Sequence, residues 1–272
     1  MPWAVFKDTL RHSLIVTLLW GIGMGALMIF MVMITPAMQG MNLVDLFGSL
    51  PPTVLAAFGM GDGSQAALDA IATPEGLIAF GFFGKMALIF AAYPVVMGLR
   101  ATSRDESDGN LDVTLSLPVS RSRVIIESWL AYAIDIVILV LFMIAGLFLG
   151  VAITGVELDV AKMSVLVLNL IPVLVLVLSA TIFVGALISK RQTVVAIMTI
   201  FVIASFMIQT VGAMVNASWM NVVEAFSFFT YYNVQHLLAD GVVPANVLIL
   251  LVVAGVLVLG SVYSFQRRDI AV

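Results

Sequence analysis

Residues 14–35 read LIVTLLWGIGMGALMIFMVMIT and contain no charged side chain. A run of about 20 apolar residues is long enough to cross the roughly 30 Å hydrocarbon core of a bilayer as an α-helix. A secretory signal peptide has an apolar region of only about 7–15 residues and a small-residue cleavage site, and this segment has no such site. We therefore expect residues 14–35 to be a first transmembrane span that is retained.

The rest of the chain repeats this pattern. Further apolar segments lie near residues 77–99, 129–153, 164–188, 193–215 and 244–265. Backbone amides in lipid must be paired within their own segment, so each span is predicted to be helical. The 272 residues are 62% hydrophobic and 10% charged, whereas soluble domains are about 25% charged. We predict an all-α integral membrane protein, a bundle of about six transmembrane helices in a single domain, residues 1–272.

Basic residues are strongly biased to one side of this bundle. Cytoplasmic loops of membrane proteins carry an excess of lysine and arginine, so this side is expected to be cytoplasmic, with both termini on it. The opposite side has only Lys162 outside the spans. The residues on the basic side are Lys7, Arg11, Arg100, Arg104, Arg121, Arg123, Lys190, Arg191, Arg267 and Arg268.

Two outer loops, residues 36–76 and 216–243, are long enough to hold structure of their own. Thr73-Pro74-Glu75 has the cap, the early proline and the acid that are typical of a helix start, and it precedes the second span. The second loop is rich in aromatic residues with polar flanks. Aromatic rings collect at membrane interfaces, so we expect short interfacial or re-entrant helices here.

The longest cytoplasmic loop, residues 101–128, is the most informative segment. Leu111 and Leu115 are one helical turn apart and share a face, and Pro118 then interrupts the helix. Ser120 can cap the next helix. The pattern predicts a short amphipathic helix at the cytoplasmic surface. Two interpretations stay open from physics alone: the helix docks into a groove on another protein, or it rests on lipid headgroups.

The same loop resembles the signature of the type-two ABC exporter permeases, in which an acidic stretch and a glycine precede apolar residues and Pro-x-Ser-Arg. Asn110 stands where threonine is usual in that family, and Ser128-Trp129 where a lysine commonly opens the third span. The ending from Phe265 to Ile270 is also similar to the family's common terminus. The residues that match the loop signature are Glu106, Gly109, Leu111, Asp112, Leu115, Pro118, Ser120 and Arg121.

This resemblance implies a specific mode of action. The loop helix would be a coupling element seated on a separate ABC-type ATPase subunit, and two permease chains, identical or homologous, would form the translocation path of an exporter. ATP and Mg²⁺ would be held by the partner, and this chain would bind no cofactor and catalyse no reaction. It has no GxxxxGK[ST] phosphate loop. We expect a multi-pass protein of a prokaryotic plasma membrane, with no nucleic-acid partner.

Four polar residues inside the predicted spans are candidate functional groups: Lys85, Asp135, Asn169 and Gln209. Charged groups in a membrane are costly, so Lys85 and Asp135 are candidates for a role in transport, including a direct ion pair. Alternatively Lys85 extends to the outer interface, Asp135 faces the cytoplasmic interface, and the amides join helices. Pro172 is expected to kink the fourth span, and Pro94 the second.

Two other classes of function remain as alternatives. An ion-gradient-coupled carrier acting without an ATPase would rest on Lys85 and Asp135, although such carriers usually show inverted repeats, which we do not find. A membrane-embedded lipid-modifying enzyme would rest on Asp105, Glu106 and Asp108 as ligands for a divalent cation. The absence of cysteine, and the presence of only two histidines, excludes thiolate metal sites and cysteine nucleophiles and disfavours histidine-based metal sites.

Overall fold

The computed structural model describes residues 3–41, 43–51, 54–55, 72–104, 120–188, 190–212 and 218–267. Within these ranges every regular element is helical. Two π-helical turns, Ala79–Phe83 and Arg100–Arg104, and a 3₁₀ turn, Phe228–Tyr231, join the α-helices. The α-helices are α1 (Ala4–Gln39), α2 (Leu43–Gly48), α3 (Pro74–Ile78), α4 (Gly84–Leu99), α5 (Arg121–Thr154), α6 (Val160–Leu168), α7 (Leu170–Leu187), α8 (Arg191–Gly212), α9 (Ser218–Glu224), α10 (Val234–Ala239) and α11 (Pro244–Arg267).

The helices supply six candidate spans within the described part of the chain. Five are long and apolar enough to cross a membrane without a sharp bend: α1, α5, α6 with α7, α8 and α11. The sixth is a bent pair, in which Pro74–Phe83 and Met86–Thr102 meet at 48°. This confirms the predicted all-α membrane bundle of about six spans.

Helices α1 and α5 begin well before the apolar segments that predicted them. The apolar run of the first span starts at Leu14 and α1 at Ala4, while the third span was expected from Trp129 and α5 starts at Arg121. Extending an existing helix adds one hydrogen bond per residue fixed, so polar residues at its end join it readily. Hydropathy therefore located the membrane-crossing part of each helix and not its full length.

The second and fourth spans are interrupted at different kinds of residue. Pro172 cannot donate a backbone hydrogen bond and its ring crowds the carbonyl four residues earlier, and α6 ends at Leu168 in agreement with the predicted kink. Pro94, in contrast, lies inside α4, which runs without a break from Gly84 to Leu99. The 48° bend of the second span instead follows the π-helical turn Ala79–Phe83.

Helices α1 and α5 form a parallel pair whose backbones touch. A Cβ atom added at Gly146 would overlap the carbonyl oxygen of Gly25, and one added at Gly150 would lie 2.8 Å from Cβ of Val32. Gly21 and Gly25, like Gly146 and Gly150, have the spacing of a small-xxx-small motif, which permits close helix approach in membranes. The pair therefore packs over much of its length without large side chains between the axes.

Helix α7 lies at the centre of the bundle. In the span formed by α6 and α7, 83% of the most apolar window is buried, compared with 33% in α1 and 22% in both α8 and α11. A Cβ at Gly98 of α4 would lie 2.7 Å from Cβ of Thr181 on α7, so these helices also approach closely. The peripheral helices keep large apolar faces outside the bundle.

The outer segment between α8 and α11 folds back into the bundle. Phe228 packs on Phe201, near the middle of α8, with ring centroids 5.4 Å apart. Ser227 donates a hydrogen bond to the carbonyl of Ser205 (2.7 Å), and the Gln209 amide donates one to the carbonyl of Phe229 (3.2 Å). The segment therefore packs against α8 as far as its middle, and we call residues 218–239 the re-entrant segment; its depth in the membrane stays a prediction.

Candidate functional site

Most of the predicted coupling segment lies outside the described residues. Ser120 and Arg121 are described, and they lie at the start of α5. The role of the whole set in docking an ATPase stays a prediction. The residues of the set outside the described part are Glu106, Gly109, Leu111, Asp112, Leu115 and Pro118.

The helices on either side of this segment are well defined. The second span ends in the π-helical turn Arg100–Arg104, and α5 starts at Arg121. Ser120 occupies the cap position with extended backbone, as predicted, but its side chain makes no capping hydrogen bond. Its hydroxyl lies 3.2 Å from that of Ser122 instead. The predicted helix start is therefore present without the predicted side-chain cap.

Glu127 joins the first turns of α1 to the first turns of α5 by a hydrogen bond. Its carboxylate accepts a hydrogen bond from the backbone N–H of Phe6 (3.0 Å), and it also pairs with the guanidinium of Arg123. Only 4% of Glu127 is exposed. The carboxylate satisfies a backbone donor at the N-terminus of α1, where helices leave such donors unpaired. Sequence reasoning did not single out Glu127, although its position four residues after Arg123 is typical of a helical ion pair.

Asp135 lies in a buried polar cluster formed by three helices. Ser13 and Thr17 belong to α1, Tyr93 to α4 and Asp135 to α5, and each is at most 1% exposed. The carboxyl of Asp135 lies beside the hydroxyls of the other three residues. Thr17 and Tyr93 are joined by a hydrogen bond of 2.8 Å. Asp135 therefore faces the interior of the bundle, and the alternative in which it faces the cytoplasmic interface does not match its burial.

The other three candidate polar residues lie apart from this cluster. The backbone of Lys85 belongs to α4, but its side chain lies outside the described residues, so the ion pair with Asp135 stays a prediction. Asn169 is buried at the junction of α6 and α7. Gln209 holds the re-entrant segment against α8. The Gln209 amide therefore joins two elements of the fold.

The first turns of the second and fourth spans are joined by a hydrogen bond. Glu75 accepts it from the backbone N–H of Asp159, at 2.8 Å. Thr73 caps the start of α3 by accepting from the N–H of Gly76 (3.1 Å), which confirms the predicted helix start. Asp159 in turn caps α6 by accepting from the N–H of Lys162.

An apolar cavity of about 440 Å³ lies between the central helix, the two peripheral helices and the re-entrant segment. Among the described residues that line it, Tyr231 is the one tyrosine, and its hydroxyl donates a hydrogen bond to the carbonyl of Ala225 (3.0 Å). A space of this size and character suits an apolar ligand or the apolar part of an amphipathic one. The walls are formed mainly by Leu176, Phe183, Phe201, Phe228, Ile249 and Val253.

The residues that would support a lipid-modifying enzyme are only partly described. No group of three or more His, Asp or Glu residues that could hold a metal ion occurs among them. The acidic cluster that would support a lipid-modifying enzyme, including Asp105 and Asp108, lies outside the described part.

The sequence did not predict which hydroxyls lie beside Asp135. Ser13, Thr17 and Tyr93 are distant in sequence from Asp135, and only the pairing of α1 with α5 and α4 brings them together. A usable signal was present for one of these pairings. The small-xxx-small motifs at Gly21 and Gly146 predict close helix contact, although they do not say which helix meets which.

Comparison with known proteins agrees with this architecture. The family model described as ABC-2 family transporter protein matches residues 3–270, nearly the whole chain. No curated protein matches the sequence. The match includes the residues of all six candidate spans and the segment between the second and the third. The chain therefore belongs to the ABC-2 family of transporter proteins, and it is a multi-pass membrane component of an ABC transporter.

Proposed function

We propose that this chain is the membrane-spanning subunit of an ATP-driven exporter, in which a separate ABC-type ATPase supplies the energy. The observation that carries the proposal is the family match over residues 3–270, together with six candidate spans in the described residues. The single membrane domain would comprise residues 1–272, with a coupling segment at 101–128 and outer loops at 36–76 and 216–243. ATP and Mg²⁺ would bind to the partner subunit.

In this proposal the coupling segment transmits the ATPase movement to two differently held spans. Helix α5 is fixed to α1 by Glu127 and by glycine contacts, so a force on its start would move both helices together. The second span, on the other side of the segment, contains a 48° bend after a π-helical turn. Such turns interrupt regular helix hydrogen bonding and are frequent at functional sites. The bent span is therefore the part we expect to move relative to the α1–α5 pair.

A second permease copy, identical or homologous, would complete the translocation path. The peripheral helices support this, because only 22% of the most apolar window of α8 and of α11 is buried within one chain. The apolar cavity beside α7 favours a cargo with an apolar part. The bias of basic residues supports cytoplasmic termini. A prokaryotic plasma membrane is the location that we propose.

A pair of double variants tests the proposed docking face. Leu111→Asp with Leu115→Asp places charges on the face expected to dock. Val113→Asp with Leu117→Asp adds the same charges on the opposite side of the same helix. We expect the first variant to insert normally and to lose its ATPase partner on purification in mild detergent, while the second retains it.

The outcome that would contradict this docking face is equally definite. If the Leu111/Leu115 variant retains the ATPase at the wild-type ratio and the Val113/Leu117 variant loses it, the assigned face is wrong. If both retain it, the segment does not dock. Membrane insertion of each variant is checked by its extraction from the membrane fraction and its elution volume on gel filtration.

A further inference from the structure

Asp135 occupies a position that the proposed transport cycle does not explain. The residue is fully buried in α5, 12 residues after Arg123, or about 18 Å along the helix from the basic residues that mark its predicted cytoplasmic end. Among the described residues, neither of its carboxyl oxygens has a partner in hydrogen-bonding geometry. A buried carboxylate without a partner is strongly unfavourable, so a positive charge is expected to neutralise it.

The three hydroxyls beside the carboxyl have already used their protons. Ser13 donates to the carbonyl of Leu10 (3.1 Å), and Thr17 donates to the carbonyl of Ser13 (3.0 Å). Because a hydroxyl has one proton, the 2.8 Å bond between Thr17 and Tyr93 must be donated by Tyr93. Each of the three oxygens therefore offers Asp135 only lone pairs.

The cluster therefore lacks a hydrogen-bond donor for the carboxyl of Asp135. An ionised carboxylate has no proton with which to donate a hydrogen bond itself. An un-ionised carboxylic acid does have one, because its O–H can turn toward one of the three neighbouring oxygens, and it carries no charge that has to be neutralised. We propose that Asp135, Ser13, Thr17 and Tyr93 form an intramembrane proton-binding site, in which the carboxyl of Asp135 takes up a proton from water, keeps it, and offers a hydrogen bond to a neighbouring hydroxyl oxygen.

Two cations of the second span flank the site. Arg100 begins the π-helical turn after α4, seven residues after Tyr93, about 10 Å along the helix at 1.5 Å per residue. Among the described residues its buried Nε and the carboxyl oxygens of Asp135 have no hydrogen-bond partner, so the two groups are not paired with each other. Lys85 lies eight residues beyond Tyr93, about 12 Å along the helix at 1.5 Å per residue. On α5, Glu127 is paired with Arg123 and with the N–H of Phe6.

The site joins the helices on both sides of the coupling segment. Tyr93 belongs to the second span and Asp135 to the third, while Ser13 and Thr17 belong to the helix paired with the third. Loss of the proton would leave a buried carboxylate facing only lone pairs, which repel it. The contact between α4 and the α1–α5 pair is therefore expected to hold in the protonated state and to loosen when the proton leaves.

Infrared difference spectroscopy of the full chain at neutral pH tests the site directly. Asp135→Asn keeps the shape of the side chain and removes the acid. We expect the difference between wild type and Asp135→Asn to contain the carbonyl stretch of an un-ionised carboxylic acid. Glu127→Gln is the matched control, since Glu127 is also buried but has ionic and backbone partners. Its difference spectrum should contain carboxylate bands alone.

A second measurement keeps the test decisive if Asp135→Asn does not fold. Labelling aspartate with carbon-13 at the carboxyl should shift the un-ionised acid band of the wild-type protein. Thr17→Ala leaves the carboxyl in place but removes one acceptor, so it should also shift that band. Lys85→Met should leave the band unchanged.

Three results would overturn the proposal. Carboxylate bands alone for Asp135 would show that it is ionised. Appearance of the acid band only in Lys85→Met would show that Lys85 neutralises the carboxylate. Carboxylate bands that shift with added sodium would show a metal-cation site. None of these measurements requires the ATPase. A result against the proton site therefore does not contradict the proposed transport function, and a result against that function does not contradict the proton site.

Discussion

The central span and the peripheral spans are alike in composition and different in environment. The span formed by α6 and α7 and the span α11 are both strongly apolar, yet 83% of the first window is buried and only 22% of the second. Apolar side chains are equally favourable in lipid and in a protein interior, so hydropathy does not distinguish a central span from a peripheral one. In this bundle, close packing is associated with glycine and hydroxyl residues.

The contact between α1 and α5 shows which residues distinguish a buried helix face from a peripheral one. Gly25 and Gly146 allow backbone contact, and the cluster around Asp135 places hydroxyls between helices. The outward face of α11 instead carries large residues such as Val256 (63% exposed) and Leu259 (70% exposed). Small and polar residues at helix contacts thus indicate the interior of the bundle. Large aliphatic residues occur both in the interior and on the outward face.

The largest effect is expected where backbones touch. Gly146→Ala places a methyl group against the carbonyl oxygen of Gly25, and backbone cannot move aside as a flexible side chain can. We expect a loss of about 3 kcal/mol or more, from overpacking, measured by thermal unfolding in detergent. Gly23→Ala is the matched control, because a Cβ there meets nothing within 4 Å. Equal melting temperatures for the two variants would refute the close α1–α5 contact.

A loss of stability of intermediate size should distinguish a leucine in the central span from one in a peripheral span. Leu178 of α7 is fully buried, whereas Leu259 of α11 is 70% exposed. Leu178→Ala should leave a cavity and cost about 2 kcal/mol. Leu259→Ala should change stability by less than about 0.5 kcal/mol in a single chain, because lipid or detergent fills the space. A cost for Leu259→Ala that appears only when permease chains associate would identify α11 as part of their interface.

The smallest effect should come from a single hydrogen bond between helices. Trp129 of α5 donates its indole N–H to the hydroxyl of Ser179 on α7, at 2.9 Å. A double-mutant cycle of Trp129→Phe and Ser179→Ala should give a coupling free energy of about 0.6 kcal/mol, the usual size for such bonds in membranes. A coupling free energy of zero would mean that this bond does not hold the two helices together.

The number and placement of the spans could be predicted because each requires a long apolar run, and little else in the sequence competes with that signal. The cap at Thr73 and the aromatic outer segment were also predictable, since both depend on local residues. The helices that pack against each span could not be predicted in this way. Asp135 was recognised as a buried charge, but its meeting with Thr17 and Tyr93 depends on how three distant helices pack.

Boundaries at the cytoplasmic side were predicted least well, for a related reason. Helices α1 and α5 continue past the membrane through polar residues, where Glu127 accepts the backbone N–H of Phe6. Hydropathy carries no information about such a contact. A search for acids near the ends of spans, combined with the small-xxx-small motifs, would have suggested that α1 and α5 are held to partners there.

The most direct test of the proposed function is to purify the tagged chain from its native host in mild detergent. The co-purifying proteins are identified while vanadate-sensitive ATP hydrolysis is measured. The account predicts an ABC-type ATPase in a stoichiometric ratio, with hydrolysis that vanadate inhibits. A chain that purifies alone in several gentle detergents, and that moves its cargo on an ion gradient without ATP, would contradict the account and favour an autonomous carrier.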